Sequence, residues 1–190
     1  MMAKAAQLIR SGGIIVYPTE TVYGLGANAL DEHTILRIFQ IKNRPLKMPV
    51  FLAVSSLEML QEVAEVTDKD LDLLKKLFPG PISVLVRKRD IVPDLLTAGS
   101  HLVGVRFPEH ETAIKIIDKS GPITSTSANE TGSIPPISVE EVSQRIRDKV
   151  DLIVDGGRSR YAQPSTLLDL SSRSIIRKGA GLDNVLKAIS

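Results

Sequence analysis

At 190 residues, with 43% hydrophobic and 24% charged side chains, the chain has an ordinary globular balance and enough length to bury one substantial core. A formal net charge of +2 admits an anionic ligand but falls well short of a protein that coats nucleic acid, and the lack of cysteine excludes disulfides and thiolate metal sites. His33, His101 and His110 are too scattered for a zinc cluster, and the opening MMAKAAQLIRSGG has no apolar run long enough for a signal peptide or a membrane span. A soluble, cytoplasmic protein with no membrane partner and no protein-held metal is expected.

Residues 2–11 place Ala5, Ala6, Leu8 and Ile9 on one helical stripe, with Gly12 as the stop. Ile14 to Tyr17 then suit a buried strand, ended by Pro18 and followed by a rigid loop, TETVYGLGANA, rich in hydrogen-bonding groups. Gly24 and Gly26 remove the Cβ atoms that would keep a ligand off the backbone, and polar loops at strand ends are where open α/β sheets bind ligands. No P-loop or G-x-G-x-x-G fingerprint is present, so a plain structural turn is the competing reading of this loop.

Asp31 caps a helix carrying Ile35, Ile38 and Phe39, which delivers Lys42-Asn43-Arg44 to its far end just before Pro45. Val50 to Val54 is sized for a strand. Ser55 with Glu58 and Thr67 with Asp70 read as capping boxes for two successive helices, the second halted by Pro79-Gly80-Pro81. Ile82–Val86 and Leu102–Phe107 are strands, Ala113, Ile116 and Ile117 mark a helix, and Pro122–Thr126 is a strand leading into Ser127-Ala128-Asn129. Ser138 and Glu141 cap a further helix, Leu152–Val154 is a strand, and Thr166–Leu170 with Ser174–Arg177 form an antiparallel hairpin before a last helix. Glu130 to Ile137 and Tyr161 to Pro164 are the expected loops, the latter a candidate lid. Eight or so strands with helices between most of them imply one α/β domain over residues 1–190, a twisted mixed parallel and antiparallel sheet flanked by helices.

Five places share one character, hydroxyls, amides or isolated cations at the ends of apolar strands: Thr19-Glu20-Thr21, Lys42-x-Arg44, Arg106, Ser127-x-Asn129, and Ser165-Thr166 with Arg177. Taken singly each cation is an ordinary surface charge. Together they point to an anion site, where arginine meets carboxylate or phosphate bidentately.

In order, PTETVYGLGANA, KNRP, PGPISVLV, VRFP, STSAN, DGG, PSTLLDL and IIRKGAG resemble the YrdC-like threonylcarbamoyl-adenylate synthase family, over nearly the whole chain from Gly13 to Gly181. The resemblance implies a YrdC/RibB-like sheet around a central basic cavity, and an enzyme that joins L-threonine, bicarbonate or CO2, and ATP with Mg²⁺ into threonylcarbamoyl-adenylate, the first step of N6-threonylcarbamoyl modification of tRNA adenosine 37. It implies that Thr19, Arg106, Ser127 and Ser165 hold threonine. It assigns ATP to Lys42, Arg44, Ser127, Asn129 and Arg177, with Lys42 and Arg44 as the catalytic cations. Downstream threonylcarbamoyl-transferase proteins are implied partners, with tRNA or double-stranded RNA as further candidates. Some relatives carry a histidine in the strand after KNRP, where this chain has Ala53, and the chain resembles the single-domain branch. The rivals are an RNA-binding module using the same basic cavity and a carbamoyl-transfer domain of the hydrogenase-maturation type.

Overall fold

The computed structural model describes residues 1–190. Helix α1 (Met2–Arg10) buries Ala5, Ala6 and Ile9 at the expected spacing, and the chain turns at Gly12, with φ +83°, into β1 (Ile15–Tyr17). It doubles back through β2 (Gly24–Gly26), antiparallel to β1, where the sequence suggested uninterrupted loop. The reason is Tyr17, whose ring lies across the two glycines: a Cβ on Gly24 or Gly26 would come within 2.8 or 3.0 Å of ring carbons.

Helix α2 (Glu32–Lys42) is capped by Asp31, which accepts the His33 N–H, and ends at Asn43 with φ 49°, a left-handed C-cap. Next come β3 (Phe51–Ala53), α3 (Leu57–Val63), β4 (Ala64–Glu65) and α4 (Asp68–Leu77). The cap of α3 is Ser56, whose Oγ accepts the Met59 N–H at 3.1 Å, not the expected Ser55–Glu58 box, because Ser55 is drawn inward against the Met59 sulfur. The Thr67–Asp70 box forms in full.

Strand β5 (Ile82–Lys88), the short α5 (Asp94–Thr97), β6 (Leu102–Arg106), α6 (Glu111–Ser120) and β7 (Ile123–Ser127) follow. The helix expected from Ser138 is instead a 3₁₀ turn at Val139–Glu141 and a four-residue α7 (Gln144–Arg147) capped by Ser143. There the Glu141 carboxylate accepts the Ile137 N–H and closes no box. The chain ends with β8 (Leu152–Ile153), the expected hairpin of β9 (Thr166–Asp169) and β10 (Ser174–Arg177), and α8 (Leu182–Ile189).

The ten strands form one sheet in the order β10-β9-β5-β6-β3-β7-β2-β1-β8, with β4 beside β5. Pairing is parallel where β9 meets β5, β6 meets β3 and β1 meets β8, and antiparallel elsewhere. Period-two alternation decides what each face carries. One face presents Val84, Val86, Val103, Val105, Leu52 and Leu168 to the helices of the 23-residue core cluster, and continues through Val16 and Leu25 into a second cluster under α2.

The opposite face is covered only in part. Ile15, Tyr17, Ala53 and Ile123 pack beneath α1 and α6. Farther along β3 and β7, and on the neighbouring β5 and β6, the positions on this face become Phe51, Ser125, Ser127, Ser83 and Arg106, linked by the registers Ser83↔Arg106 and Phe51↔Ser125, and no helix closes over them. The open stretch of sheet is the cavity floor.

Gly104 belongs to that floor because the Phe51 ring rests on it, with a built Cβ only 2.2 Å from Phe51 Cδ1. Gly104→Ala is expected to swing the half-exposed ring into the cavity at a cost of about 1–3 kcal/mol, as overpacked sites do. Denaturant unfolding and ligand titration on the one variant would read both effects.

Candidate functional site

The cavity holds about 210 Å³ and opens to solvent. Its wall includes Thr19, Arg44, Ser83, Arg106, Ser125, Ser127, Ser165 and Arg177, with Tyr17, Phe51, Pro135 and Pro164 as apolar or aromatic boundaries. No carboxylate lines it. Three guanidiniums thus face a space with no acidic side chain on its surface, and the attraction for an anion is strengthened by the low-dielectric walls.

Each cation is held by the chain around it. Arg44 donates from Nε to the Met48 carbonyl (3.0 Å) and from Nη2 to the Pro49 carbonyl (2.7 Å), so the loop after α2 curls around its own arginine. Burial lowers its pKa. Arg177, at the end of β10, donates to the Ser165 carbonyl (3.1 Å) and Ser165 Oγ (3.2 Å), and Ser165 Oγ lies 2.8 Å from Ser83 Oγ. Burial, and then the charge of Arg106, lower the pKa of Arg177.

Arg106, the last residue of β6, is 7% exposed and forms a buried ion pair with Glu20, Nη2 to Oε1 at 2.8 Å. The pair joins the turn after β1 to the sheet floor. Thr19 also reaches the wall, but its hydroxyl is engaged locally: Oγ1 donates to the Val22 carbonyl at 2.6 Å and accepts from the Thr21 and Val22 amides at 3.3 Å.

Two of the sequence-derived site residues do not reach the wall. Lys42 is 2% exposed, and its ammonium donates to the Ser127 carbonyl, the Asn129 carbonyl (2.6 Å) and Asn129 Oδ1 (3.4 Å). Asn129 passes the connection on, its Nδ2 donating to the Ser133 carbonyl at 2.6 Å and the Glu130 carbonyl at 3.1 Å. Lys42 and Asn129 form a clip that shapes the turn after β7 and presents Ser127. Burial, with the charge of Arg44, lowers Lys42 to about 7, while three oxygen acceptors favour the ammonium form.

Ala53 is fully buried among Tyr17, Ile117 and Ile123, away from the opening. Tyr161, in the candidate lid, donates its N–H to the Glu20 carbonyl at 2.8 Å, and Pro164 lines the cavity. Sequence reasoning missed Ser83, Phe51 and Ser125. For Ser83 the signal was there: it is the hydroxyl in ISVLV at the parity opposite Ile82, Val84 and Val86. No group of His, Asp or Glu side chains is disposed to hold a metal, and no helix is long and apolar enough to cross a membrane.

Residues 7–179 match the family model Sua5_yciO_yrdC, described as telomere recombination. A threonylcarbamoyl-AMP synthase of Pyrococcus abyssi is 42% identical over 169 residues, covering 88% of this chain and 50% of that protein, so the chain spans about half the length of this relative. A threonylcarbamoyl-AMP synthase of Cellvibrio japonicus is 31% identical over 175 residues, with 91% of this chain and 93% of that protein covered. The crystal structure of P. abyssi Sua5 complexed with L-threonine superposes with a TM-score of 0.94 at 39% identity, over 100% of this chain and 57% of that one.

Proposed function

The chain belongs to the Sua5/YciO/YrdC family, and from that premise we propose that it is a threonylcarbamoyl-adenylate synthase, converting L-threonine, bicarbonate and ATP into threonylcarbamoyl-adenylate, pyrophosphate and water. One observation carries the reading: three guanidiniums and a set of hydroxyls converge on a single carboxylate-free cavity. The proposed substrates bring a carboxylate, a bicarbonate and a triphosphate, so every one of them offers oxyanions to such a wall.

The neutral threonine amine adds to the carbon of CO2 and gives up a proton, or adds to bicarbonate with cleavage of a C–O bond and loss of water, and a carbamate results either way. A carbamate oxygen attacks the α-phosphorus of ATP in line, the bond to the β-phosphate oxygen breaks, and pyrophosphate leaves. No side chain acts as nucleophile; catalysis rests on orientation and on cations facing the charge that builds on transferring and leaving oxygens. In this scheme Arg106 takes the threonine carboxylate, with Thr19, Ser127 and Ser165 around the amino acid, and Arg44 and Arg177 face the phosphates. Lys42 and Asn129 act through Ser127. Mg²⁺ would come with ATP and would neutralise phosphate charge there, since the wall offers it no carboxylate. The product would pass to threonylcarbamoyl-transferase proteins and adenosine 37 of tRNA.

Binding of an RNA backbone is the poorer reading. The arginines lie inside a concavity bounded by serines and prolines, and the aromatic rings of the wall are Tyr17, itself fully buried, and Phe51, so there is no platform on which bases could stack. Pyrophosphate release should require ATP, L-threonine and bicarbonate together. Release that persists when either threonine or bicarbonate is withheld would overturn the assignment.

A further inference from the structure

Glu20 is the one carboxylate buried beside the cavity, 3% exposed, yet it does not line it. Its Oε1 bonds Arg106 Nη2, while its Oε2 and Arg106 Nε are both buried without a partner. Nη2 and Nε lie on the same edge of a guanidinium, so Glu20 takes a donor on that edge and leaves Nη1 without a partner in the protein, on a residue that lines the cavity. The backbone on either side of the carboxylate is pinned: Tyr161 N–H donates to the Glu20 carbonyl at 2.8 Å, and Ser159 Oγ donates to the Thr19 carbonyl at 2.9 Å. On the other side, the Arg106 carbonyl accepts the Val54 N–H at 2.8 Å.

The three arginines of the wall differ in this respect. Arg44 and Arg177 are held by neutral carbonyl and hydroxyl oxygens and keep their full charge for a ligand, whereas Arg106 is already paired with an anion. A multiply charged phosphate brought to Arg106 meets the repulsion of Glu20 in a low-dielectric site; a singly charged carboxylate meets far less of it.

We propose that Glu20 is a positioning and specificity-determining residue: it fixes the Arg106 guanidinium edge-on and reserves that end of the cavity for a monoanionic carboxylate, leaving polyphosphate to Arg44 and Arg177. The proposal rests on the synthase reading for the identity of the two ligands. Its geometry comes from the Glu20–Arg106 pair alone.

The test uses calorimetric titration of the full chain with L-threonine and, separately, with inorganic pyrophosphate, for the parent, Glu20→Gln and Glu20→Asp, alongside thermal melts. Glu20→Gln should weaken L-threonine binding about tenfold or more and strengthen pyrophosphate binding, with Glu20→Asp, which keeps the charge on a shorter stem, in between. In turnover, the apparent KM for threonine should rise while that for ATP stays within twofold. A lowered melting temperature with both ligand affinities unchanged would assign Glu20 a purely structural role and overturn the proposal, as would a parent protein that binds no L-threonine. Pyrophosphate release by the parent reports separately on the synthase reading: threonine binding that responds to Glu20 without any turnover would sink that reading and leave the pairing argument intact.

Discussion

Arg106→Met is expected to lower threonine-dependent pyrophosphate release by at least about 100-fold and to destabilise the fold by about 3–5 kcal/mol. The two losses have different origins. The first follows from removal of the cationic end of the floor, where the proposed substrate carboxylate has no other guanidinium so placed. The second follows from Glu20, which stays 3% exposed with neither oxygen partnered once its arginine is gone. Methionine fills much of the same volume, so a cavity contributes little to the result. The double variant Glu20→Gln/Arg106→Met separates them, since removing the stranded charge should recover most of the stability and none of the activity. Urea denaturation and the three-substrate assay on both variants are sufficient; single and double variants equally unstable would show that the buried carboxylate is not the cause.

Lys42→Met carries the second large expected effect, an activity loss of about 100-fold or more with the secondary structure retained. Three oxygens now served by the ammonium lose their donor, and the turn from Ser127 to Asn129, together with the Glu130–Ser133 segment bound by Asn129 Nδ2, loses the clip that shapes it. The pH dependence has a definite sign. Lys42 is lowered to about 7 by burial and by Arg44. Between that value and its ordinary 10.5, the unfolded chain binds more protons than the fold, so the contribution of Lys42 to stability grows as pH rises through that window. Methionine lacks this linkage, and the stability advantage of the parent over the variant should therefore widen from about pH 7 upward. Unfolding midpoints measured near neutral and near pH 9 check it, and a constant difference would show that the lysine does not titrate there.

Much of this architecture was legible in the residues. Helix stripes, the Asp31 cap, the Thr67–Asp70 box and the closing hairpin follow local rules and appear where those rules put them. Gly24–Gly26 did not read as a strand because its pairing depends on a ring seven residues earlier, a contact with no signature in local propensity. The shift of the α3 cap from Ser55 to Ser56 likewise turns on which serine the core draws inward.

For the site, the motif residues Thr19, Arg44, Arg106, Ser127, Ser165 and Arg177 do converge on one cavity. Their spacing in the sequence could not distinguish a cation on the wall from one behind it. Lys42 and Arg44 are two positions apart and differ because α2 ends between them: Lys42 is still on the buried helical face, while Asn43 in the left-handed region turns Arg44 outward. Ser83 escaped notice because a lone serine in an apolar strand carries meaning only when the strand's neighbours are known.

The cavity wall draws on residues from Tyr17 to Arg177, so no stretch of polypeptide that stops before the final hairpin owns the site. Occupancy is thereby tied to completion of the entire sheet: a ligand at a hundred times its Kd adds about 2.7 kcal/mol to the folded form. A chain still emerging from the ribosome gains that support only after Arg177 has been released to close the far side.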